Sequence, residues 1–309
     1  MKIVILDRST LGPDIDLSML SEFGEITEYA YTKEEDTIER LKNCDVVITN
    51  KVLITKDVMD NTDIKLICIS ATGTNNVDLE YAKHKKIEVR NVAGYSTASV
   101  AQLTISLVLH FMQEINYYSD YVKEGNWHKS KIFTHIDKPF SQLSGKNWGI
   151  IGLGNIGQKV AEIATAFDCN INYYSTSNMN FNTNYNTTNL TALLETSDII
   201  SIHCPLNEKT KDLLNYENMK LLKNNAIIIN VARGGIINEY DITKIIKEKN
   251  LYFGLDTIST EPIEEDSPLN SILELENIII TPHIAWASRE SRKKLIEGVY
   301  KNIKGFINE

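Results

Sequence analysis

Cysteine is scarce in this chain, and metal-binding patterns are missing. The 309 residues include only four cysteines, Cys44, Cys68, Cys169 and Cys204. They are far apart and form no CxxC pair, whereas a disulfide framework or a zinc site usually has closely spaced cysteines. The sequence also has no HxxxH pair or paired-carboxylate cluster. We therefore predict four buried, reduced thiols and no bound metal.

Long apolar runs and an excess of basic charge are missing as well. No run approaches the roughly 18 apolar residues of a membrane span, and the first apolar run ends at Asp7, too early for a secretory signal. The net charge is −9, whereas nucleic-acid binding usually needs a basic face. The sequence therefore predicts a cytoplasmic protein with neither a membrane nor a nucleic acid as a partner.

The composition is that of a globular protein with a substantial core. Hydrophobic residues make up 42% of the chain and charged residues 24%. At about 150 residues per domain, this length predicts two domains. The N-terminal third alternates short apolar runs with polar, helix-like stretches, as in parallel βαβ units. The predicted strands there are Lys2–Leu6, Asp45–Thr49, Lys65–Ile69 and Ile87–Val89, with a weaker candidate at Ile26–Ala30.

The rest of the chain has a more regular pattern. Apolar residues recur at three- and four-residue steps from Thr97 to about Lys123, which predicts one long helix. After Lys146, six apolar runs predict the strands of one doubly wound parallel sheet. These runs cover residues 147–151, 170–174, 197–202, 226–230, 251–256 and 277–281. The Asn- and Thr-rich stretch 178–188 is predicted to be a surface loop, and an amphipathic segment over about 287–306 to return to the N-terminal domain.

A glycine-rich turn follows the first of these six runs. Gly152, Gly154 and Gly157 form a GxGxxG pattern between a strand-like run and a helix-like one. The first glycine permits a tight turn, the second lets a pyrophosphate approach the backbone, and the third lets the helix pack closely on the strand. The helix N-terminus offers N–H groups and partial positive charge to the phosphates. A plain glycine turn is the alternative, but the strand before it and the helix after it favour dinucleotide binding.

The residue expected to bind the adenosine ribose is not acidic. A carboxylate normally lies about 20 positions after the glycines, at the end of the second strand. Ser175 occupies that position, followed by Thr176 and Ser177, and no Lys or Arg occurs from 172 to 190. Hydroxyl groups can bond either a ribose or a 2′-phosphate, but no cation is present to attract the phosphate. We therefore expect NAD, with NADP or mixed use as the open alternative.

Three polar side chains follow neighbouring strands of the predicted sheet. Arg233 lies beyond the fourth run, Glu261 beyond the fifth and His283 beyond the sixth. Ligands of open parallel sheets bind outside the carboxyl ends of the strands. Taken alone, each residue is more often structural: an arginine in a surface ion pair, a solvated acid or a satisfied core histidine. Their coincidence along one edge of the sheet favours a shared site.

This set of residues suits hydride transfer to a 2-keto acid. An arginine can bind the substrate carboxylate in two hydrogen bonds and polarise the adjacent ketone. A histidine can donate a proton to the carbonyl oxygen as hydride arrives at C2. A carboxylate bonded to the other ring nitrogen fixes the tautomer and stabilises the imidazolium. The remaining histidines lack this setting and are predicted to be structural: His84, His110, His128, His135 and His203.

At these residues the chain resembles the D-isomer-specific 2-hydroxyacid dehydrogenase family over nearly its whole length. The matching segments are ATGTNNVDLE (71–80), GYSTASVAQLTISLVL (94–109), GLGNIG (152–157), HCPLNEKT (203–210), NVARGGIINE (230–239), LDTISTEP (255–262) and TPHIAWAS (281–288). Within the family, YSTASVAQ, TNK (49–51) and HIAW look most similar to the glycerate dehydrogenases, also called hydroxypyruvate reductases. The resemblance implies an oxidoreductase that interconverts a small 2-keto acid and its D-2-hydroxy acid, with hydroxypyruvate and D-glycerate as the expected pair.

Together with the glycine-rich turn, the resemblance implies roles for individual residues. The catalytic set is Arg233 as the substrate-binding cation, Glu261 as the support of the histidine, and His283 as the acid/base. The implied cofactor contacts are Gly152, Gly154, Asn155, Ile156, Gly157, Ser175, Thr176, Cys204, Pro205, Thr210, Val231, Ala232, Arg233, Asp256, His283, Ala285 and Trp286. Among these, Cys204 has core packing as its preferred interpretation, with a cofactor contact as the alternative. The substrate-side residues are Lys51, Thr72, Gly73, Arg233 and His283.

The resemblance also implies the domain organisation: two Rossmann-like domains with the site in the cleft between them, and a homodimer joined through the cofactor domain. We predict a doubly wound, parallel-sheet NAD-binding domain over residues 100–286. A discontinuous, flavodoxin-like substrate domain is predicted over 1–99 and 287–309. Two alternatives stay open, namely a protein of the same fold that senses NAD(H) by binding it, and a phosphoglycerate-type dehydrogenase.

Overall fold

A computed structural model describes residues 1–177 and 184–309. In those residues the chain forms two compact units, Met1–Ser96 with Trp286–Glu309, and Thr97–Ala285. The strands are β1 (Lys2–Ile5), β2 (Glu25–Glu28), β3 (Val46–Thr49), β4 (Leu66–Ile69), β5 (Glu88–Asn91), β6 (Asn147–Ile151), β7 (Asn170–Tyr174), β8 (Asn186–Thr187), β9 (Ile199–Ile202), β10 (Ile227–Asn230), β11 (Tyr252–Leu255) and β12 (Ile278–Ile280). The α-helices are α1 (Thr37–Arg40), α2 (Lys56–Asp60), α3 (Leu79–His84), α4 (Thr97–Gln113), α5 (Ile115–Lys123), α6 (Asn155–Ala166), α7 (Leu190–Thr196), α8 (Tyr216–Met219), α9 (Glu239–Glu248) and α10 (Arg289–Asn308). None of the helices in the described ranges has the length and apolar content needed to span a bilayer.

The first unit is built on a five-stranded parallel sheet with the order β2-β1-β3-β4-β5, which is the flavodoxin-like order. Its strands β3 and β4 are buried at every position, which explains why they are continuous apolar runs in the sequence. On one face of the sheet, Leu295 and Val299 of α10 share a core with Ile3 and Ile5 of β1. The apolar side of α10 therefore packs on this sheet.

The second unit contains a seven-stranded parallel sheet, with the order β12-β11-β10-β9-β6-β7-β8 among the described residues. Strands β9 and β10 are buried at every position. The strand order reverses between β6 and β9, and the crevice outside the carboxyl ends at such a switch point is where doubly wound sheets bind ligands. The two parallel sheets confirm the predicted α/β fold, and all four cysteines are buried and unpaired as predicted.

The prediction of a single helix from Thr97 to about Lys123 is wrong, because this stretch forms two helices. Glu114 separates α4 from α5 and has a left-handed backbone with φ of 50°. Helix α4 buries one face, which includes Val100 and Phe111, whereas α5 buries no residue. Since α5 has no core contact that would align it with α4, the chain can turn at Glu114, whose carboxylate lies 3.0 Å from Nζ of Lys138.

The predicted surface loop over 178–188 is also wrong in its last part. Asn186 and Thr187 form β8, which pairs in parallel with Asn172 and Tyr173 of β7. Both β8 residues are exposed, so this strand has no apolar alternation by which a sequence pattern would reveal it. Residues 178–183 of the predicted loop lie outside the described residues.

Candidate active site

The glycine-rich turn connects β6 to α6. Gly152 has φ of +91°, and a Cβ atom there would lie 2.8 Å from the backbone nitrogen of Cys204. A Cβ atom on Gly157 would lie 2.3 Å from the carbonyl oxygen of Gly152, so neither position has room for a side chain. The space beside Gly154 is open, by contrast. A phosphate can therefore approach the backbone at Gly154 and the free N–H groups of the first turn of α6.

Buried polar atoms without a partner cluster at the same edge of this sheet. Within residues 1–177 and 184–309, five buried side-chain atoms have no hydrogen bond, and four of them follow strand ends. They are Oγ of Ser175 after β7, both ring nitrogens of His203 after β9, and Oγ1 of Thr257 beyond β11. Buried polar groups are normally paired, so this edge has unused hydrogen-bonding capacity where a dinucleotide would add polar groups. The residues present therefore fit a nicotinamide dinucleotide.

His203 is electrically neutral in this setting. Burial lowers its pKa to about 3, because the charged imidazolium would lose its hydration. Its backbone N–H donates to the carbonyl oxygen of Ile151 at 2.8 Å, which ties the end of β9 to the end of β6 beside the glycine-rich turn. The sequence interpretation placed His203 among the structural histidines. The signal that singles it out was available, because His203 directly follows a strand of the ligand-binding sheet.

His283 and Glu261 are brought together by two neighbouring loops. Nδ1 of His283 lies 2.6 Å from Oε2 of Glu261. The other carboxylate oxygen of Glu261 accepts a hydrogen bond from the N–H of Ile258 at 3.3 Å, which orients the acid within its own turn. A carboxylate at Nδ1 favours the tautomer with the proton on Nδ1, or the imidazolium. Nε2 is then the ring nitrogen available for proton exchange with a ligand.

A buried aspartate holds the turn that contains His283. The carboxylate of Asp256 accepts hydrogen bonds from the N–H groups of Ile284 and Ala285 at 2.8 Å each, and from Oγ1 of Thr281 at 2.6 Å. Burial raises the pKa of Asp256, and these hydrogen bonds oppose that rise. His283 has φ of 53°, an uncommon backbone conformation for a residue with a side chain, which persists only when its surroundings enforce it. Asp256 supplies that constraint.

Arg233 lies on the loop after β10, beside the loop that carries Glu261. Its exposed guanidinium donates to the carbonyl oxygen of Ala232 at 2.7 Å. Asn230 holds this loop by donating from Nδ2 to the carbonyl oxygen of Arg233 at 2.8 Å. A Cβ atom on Gly234 would lie 2.0 Å from the carbonyl carbon of Ile258, so the two loops touch backbone to backbone. The loops of Arg233 and Glu261 are therefore in direct contact, and neither can move further toward the other.

The other predicted cofactor residues of the second unit have different environments. The Cys204 side chain lies in the core, and burial raises the pKa of its thiol to about 11. Oγ1 of Thr210 donates to the carbonyl oxygen of Pro205 at 2.7 Å and accepts from the N–H of Asn207 at 2.8 Å, so this hydroxyl closes its own turn. Asn155 is exposed at the start of α6. The remaining residues are half-buried or buried: Ile156, Thr176, Val231, Ala232 and Ala285.

Four predicted site residues belong to the first unit. Lys51 is exposed just after β3, and Thr72 and Gly73 follow β4. Oγ1 of Thr72 donates to the carbonyl oxygen of Val92 at 3.2 Å. Trp286 packs edge-on against Tyr95, with ring centroids 6.4 Å apart. The proposed substrate-side and cofactor roles of these residues stay predictions.

Comparisons with known proteins identify the family. The family model described as D-isomer specific 2-hydroxyacid dehydrogenase, NAD binding domain, matches residues 105–285. The chain is 39% identical over 317 residues to the hydroxypyruvate reductase of Blautia hydrogenotrophica, with 99% of this chain and 97% of that protein covered. It is 32% identical over 309 residues to the glycerate dehydrogenase of Methylorubrum extorquens, with 99% and 96% covered.

Solved structures share the complete fold. The D-lactate dehydrogenase of Aquifex aeolicus, complexed with NAD and lactic acid, has a TM-score of 0.81 at 25% identity and covers 100% of this chain and 96% of its own. An acyclic imino acid reductase in complex with NADPH and D-Arg has a TM-score of 0.86 at 29% identity, with 100% and 97% covered. The predicted oxidoreductase class and nicotinamide cofactor are thereby confirmed. The chain belongs to the D-isomer specific 2-hydroxyacid dehydrogenase family.

Proposed function

We propose that this protein reduces hydroxypyruvate, or a 2-keto acid of similar size, to the D-2-hydroxy acid with NADH. The observation that carries the proposal is the 2.6 Å pair of His283 and Glu261 at the carboxyl edge of the second sheet. Relatives named hydroxypyruvate reductase and glycerate dehydrogenase support this substrate pair.

Three side chains have separate roles in the proposed reaction. NADH, when bound, supplies the hydride that adds to C2 of the keto acid. The guanidinium of Arg233 binds the substrate carboxylate through two hydrogen bonds. The imidazolium of His283 donates its Nε2 proton to the carbonyl oxygen, and Glu261 stabilises the charged ring before that transfer. In the oxidation direction, neutral His283 takes the hydroxyl proton back.

The cofactor preference we propose is NAD rather than NADP. Gly154 and the start of α6 would hold the pyrophosphate, and the unpartnered Oγ of Ser175 would bond the adenosine ribose. No Lys or Arg occurs from 172 to 190 to neutralise a 2′-phosphate. Solved relatives contain either NAD or NADPH, so the family fold supports both cofactors. The absence of a cation in this stretch supports our proposal of NAD.

We assign the second unit as the cofactor domain and the first as the substrate domain, with a boundary near Thr97 and another near Trp286. The substrate-side residues Lys51, Thr72 and Gly73 follow strands β3 and β4 of the first unit. Lys51 would add a cation suited to a small polar acid. A phosphoglycerate-type substrate is the alternative within the same chemistry.

We also propose that the protein is a homodimer joined through the 115–140 segment of the second unit. This segment exposes seven large apolar side chains: Ile115, Val122, Trp127, Ile132, Phe133, Ile136 and Phe140. Large exposed apolar surfaces often mark protein interfaces, and a second copy would cover the side chains exposed here. Phe133 is 89% exposed, so Phe133→Glu is expected to convert the dimer into a monomer. Light scattering coupled to size-exclusion chromatography measures this, and a monomeric native protein would contradict the proposal.

A spectrophotometric panel tests the proposed reaction. NADH and NADPH oxidation would be followed with pyruvate, glyoxylate, hydroxypyruvate, phosphohydroxypyruvate and bulkier keto acids. We expect the highest kcat/KM with hydroxypyruvate and NADH. A preference for the phosphorylated acid would identify a phosphoglycerate-type enzyme. NADH binding without turnover of any keto acid would favour a cofactor-sensing protein.

A further inference from the structure

A carboxylate outside the proposed catalytic set holds the loop that carries Glu261. Glu239 is the first residue of α9, and its Oε1 accepts two hydrogen bonds from Ser259. The backbone N–H of Ser259 donates at 2.6 Å and its hydroxyl at 2.8 Å. Ser259 lies between Asp256 and Glu261, in the middle of the loop after β11. The start of α9 is therefore tied directly to this loop.

The position of Ser259 determines the turn in which Glu261 lies. Glu261 accepts a hydrogen bond from the N–H of Ile258, the residue immediately before Ser259. Ser259, Thr260 and Glu261 are all exposed, so little core packing fixes this part of the loop. If Ser259 moves, the N–H of Ile258 moves with it, and the carboxylate of Glu261 loses its fixed orientation toward His283.

The loop is held from a second direction by Gly234. A Cβ atom on Gly234 would lie 2.4 Å from the backbone nitrogen of Ser259, so the loop after β10 lies directly against it. This contact stops the Glu261 loop from moving toward Arg233, but it does not stop the loop from moving away. The hydrogen bonds to Glu239 supply the missing restraint, because they are directional and charge-assisted.

Glu239 is itself well anchored. The side chain of Asn238 caps α9 by accepting a hydrogen bond from the N–H of Asp241 at 3.1 Å, and its Nδ2 donates to Oδ1 of Asp212 at 3.1 Å. The first turn of α9 is thus held in place, and the carboxylate of Glu239 can hold Ser259 at a defined distance.

We propose that Glu239 is a positioning residue for the proposed reaction, acting through Ser259 on the pair of Glu261 and His283. The inference rests on the proposed function, since it assigns Glu239 the task of keeping Glu261 aligned with Nδ1 of His283. Substrate and cofactor need not touch Glu239. Its loss should therefore lower kcat while leaving NADH affinity unchanged.

Two substitutions separate this role from a general effect on the helix. Glu239→Ala removes the acceptor, whereas Glu239→Gln keeps a carbonyl oxygen that can accept both hydrogen bonds from Ser259. We expect Glu239→Ala to lower kcat about tenfold and Glu239→Gln to lower it by less than about threefold. Glu290→Ala is the matched control, because it removes an acid from the first turn of α10 and should leave kcat unchanged.

A spectroscopic measurement reports the same alignment without turnover. In protein labelled with 15N-histidine, the ring signals of His283, identified by their loss in His283→Gln, give the fraction of the Nδ1–H tautomer. This fraction should fall in Glu239→Ala and stay at the native value in Glu239→Gln. If Glu239→Ala does not fold, Ser259→Ala removes only the hydroxyl bond and should lower kcat about twofold.

The outcomes are distinguishable. Native kcat and a native tautomer fraction in Glu239→Ala would overturn the positioning role. If the native protein turns over no keto acid, the proposed function fails. The tautomer measurement then still shows whether Glu239 aligns Glu261 with His283. Equal losses in Glu239→Ala and Glu239→Gln would also overturn the proposal, because the hydrogen bonds would then not be the cause.

Discussion

The carboxyl edges of the two sheets differ in how their polar groups are satisfied. In the first unit, Asp7 follows β1 and accepts hydrogen bonds from the N–H groups of Asn50 and Lys51, with the shortest contact to each at 2.9 Å and 2.8 Å. In the second unit, Ser175, His203 and Thr257 each bring a buried polar atom to the edge with no partner among the described residues. The carboxylate of Asp7 is thus satisfied by its own chain. An edge with unsatisfied groups is suited to a polar ligand.

The two edges nevertheless share one feature, a buried aspartate that holds a neighbouring loop. Asp7 of the first unit and Asp256 of the second are both buried aspartates that accept N–H groups from the loop of another strand. Asp7 holds the loop with Lys51, and Asp256 holds the turn with His283. Burial raises the pKa of both carboxyls because the charged form loses hydration, and the hydrogen bonds that each carboxyl accepts oppose that rise. The two aspartates make the same kind of contact, but one positions the loop of Lys51 and the other the turn of His283.

The largest expected effect comes from His283 itself. His283→Ala removes the proton donor, and we expect kcat to fall by about 10² to 10⁴, the usual contribution of a general acid. NADH should still bind, since the glycine-rich turn and the start of α6 are intact. Steady-state kinetics and a fluorescence titration with NADH measure the two effects. His84→Ala, an exposed histidine of the first unit, is the control. Turnover that survives in His283→Ala would remove this residue from the mechanism.

Arg233 should show a smaller effect, on substrate binding. Arg233→Lys keeps the charge but replaces a planar group with a point charge, which cannot bind a carboxylate through two parallel hydrogen bonds. We expect KM for the keto acid to rise about 10- to 100-fold with NADH affinity unchanged. Arg289→Lys changes an exposed arginine of the first unit and serves as the control. Superimposable saturation curves for Arg233→Lys and the native enzyme would refute the carboxylate contact.

Regular features of the second unit could be predicted from the sequence. The runs at 147–151 and 170–174 coincide with β6 and β7. Strand β6 is buried from Trp148 to Ile151, as is usual in a parallel sheet, whereas β7 alternates between buried and less buried residues. The rule that ligands bind at strand ends also led to Glu261 and His283, which the structure brings within 2.6 Å of each other. Both inferences depend on local patterns and on a general property of parallel sheets.

Features set by tertiary contacts could not be predicted in this way. The left-handed Glu114 between α4 and α5 has neither glycine nor proline beside it to signal the break. The hydrogen bonds of Glu239 to Ser259 join residues 20 positions apart, and they depend on how α9 packs beside the loop after β11. The position of His203 at the end of a strand is visible in the sequence, but the lack of a partner for its ring within the described residues depends on tertiary packing. Such contacts become visible only after the packing is known.

The unpartnered His203 makes the second unit sensitive to acid. The pKa of His203 is lowered to about 3 in the folded state, whereas the unfolded chain takes up its proton near 6.5. The stability it contributes is therefore complete above pH 6.5 and is lost as pH falls toward 3. His203→Gln cannot take up this proton. Between pH 7 and pH 5 we expect native protein to lose about 2 kcal/mol more unfolding free energy than the variant. Urea unfolding at both pH values measures this, and equal losses would contradict the buried, neutral imidazole.

The two aspartates give the smallest expected effects and the most direct comparison of the two edges. Asp7→Asn and Asp256→Asn each leave one acceptor oxygen where two were used, so each should lower the free energy of unfolding by about 1 kcal/mol. The loss is limited because the substitution also removes a carboxyl group whose charged form is disfavoured by burial, as the raised pKa of both groups indicates. The kinetic effects should differ. Asp256→Asn loosens the turn of His283 and should lower kcat about fivefold, whereas Asp7→Asn acts on the loop of Lys51 and should raise KM for the keto acid about threefold. Thermal unfolding and steady-state kinetics of the two variants measure both. If both variants change the same kinetic constant, the loops held by Asp7 and Asp256 do not have the separate roles proposed here. Both aspartates would then affect the same step of the reaction.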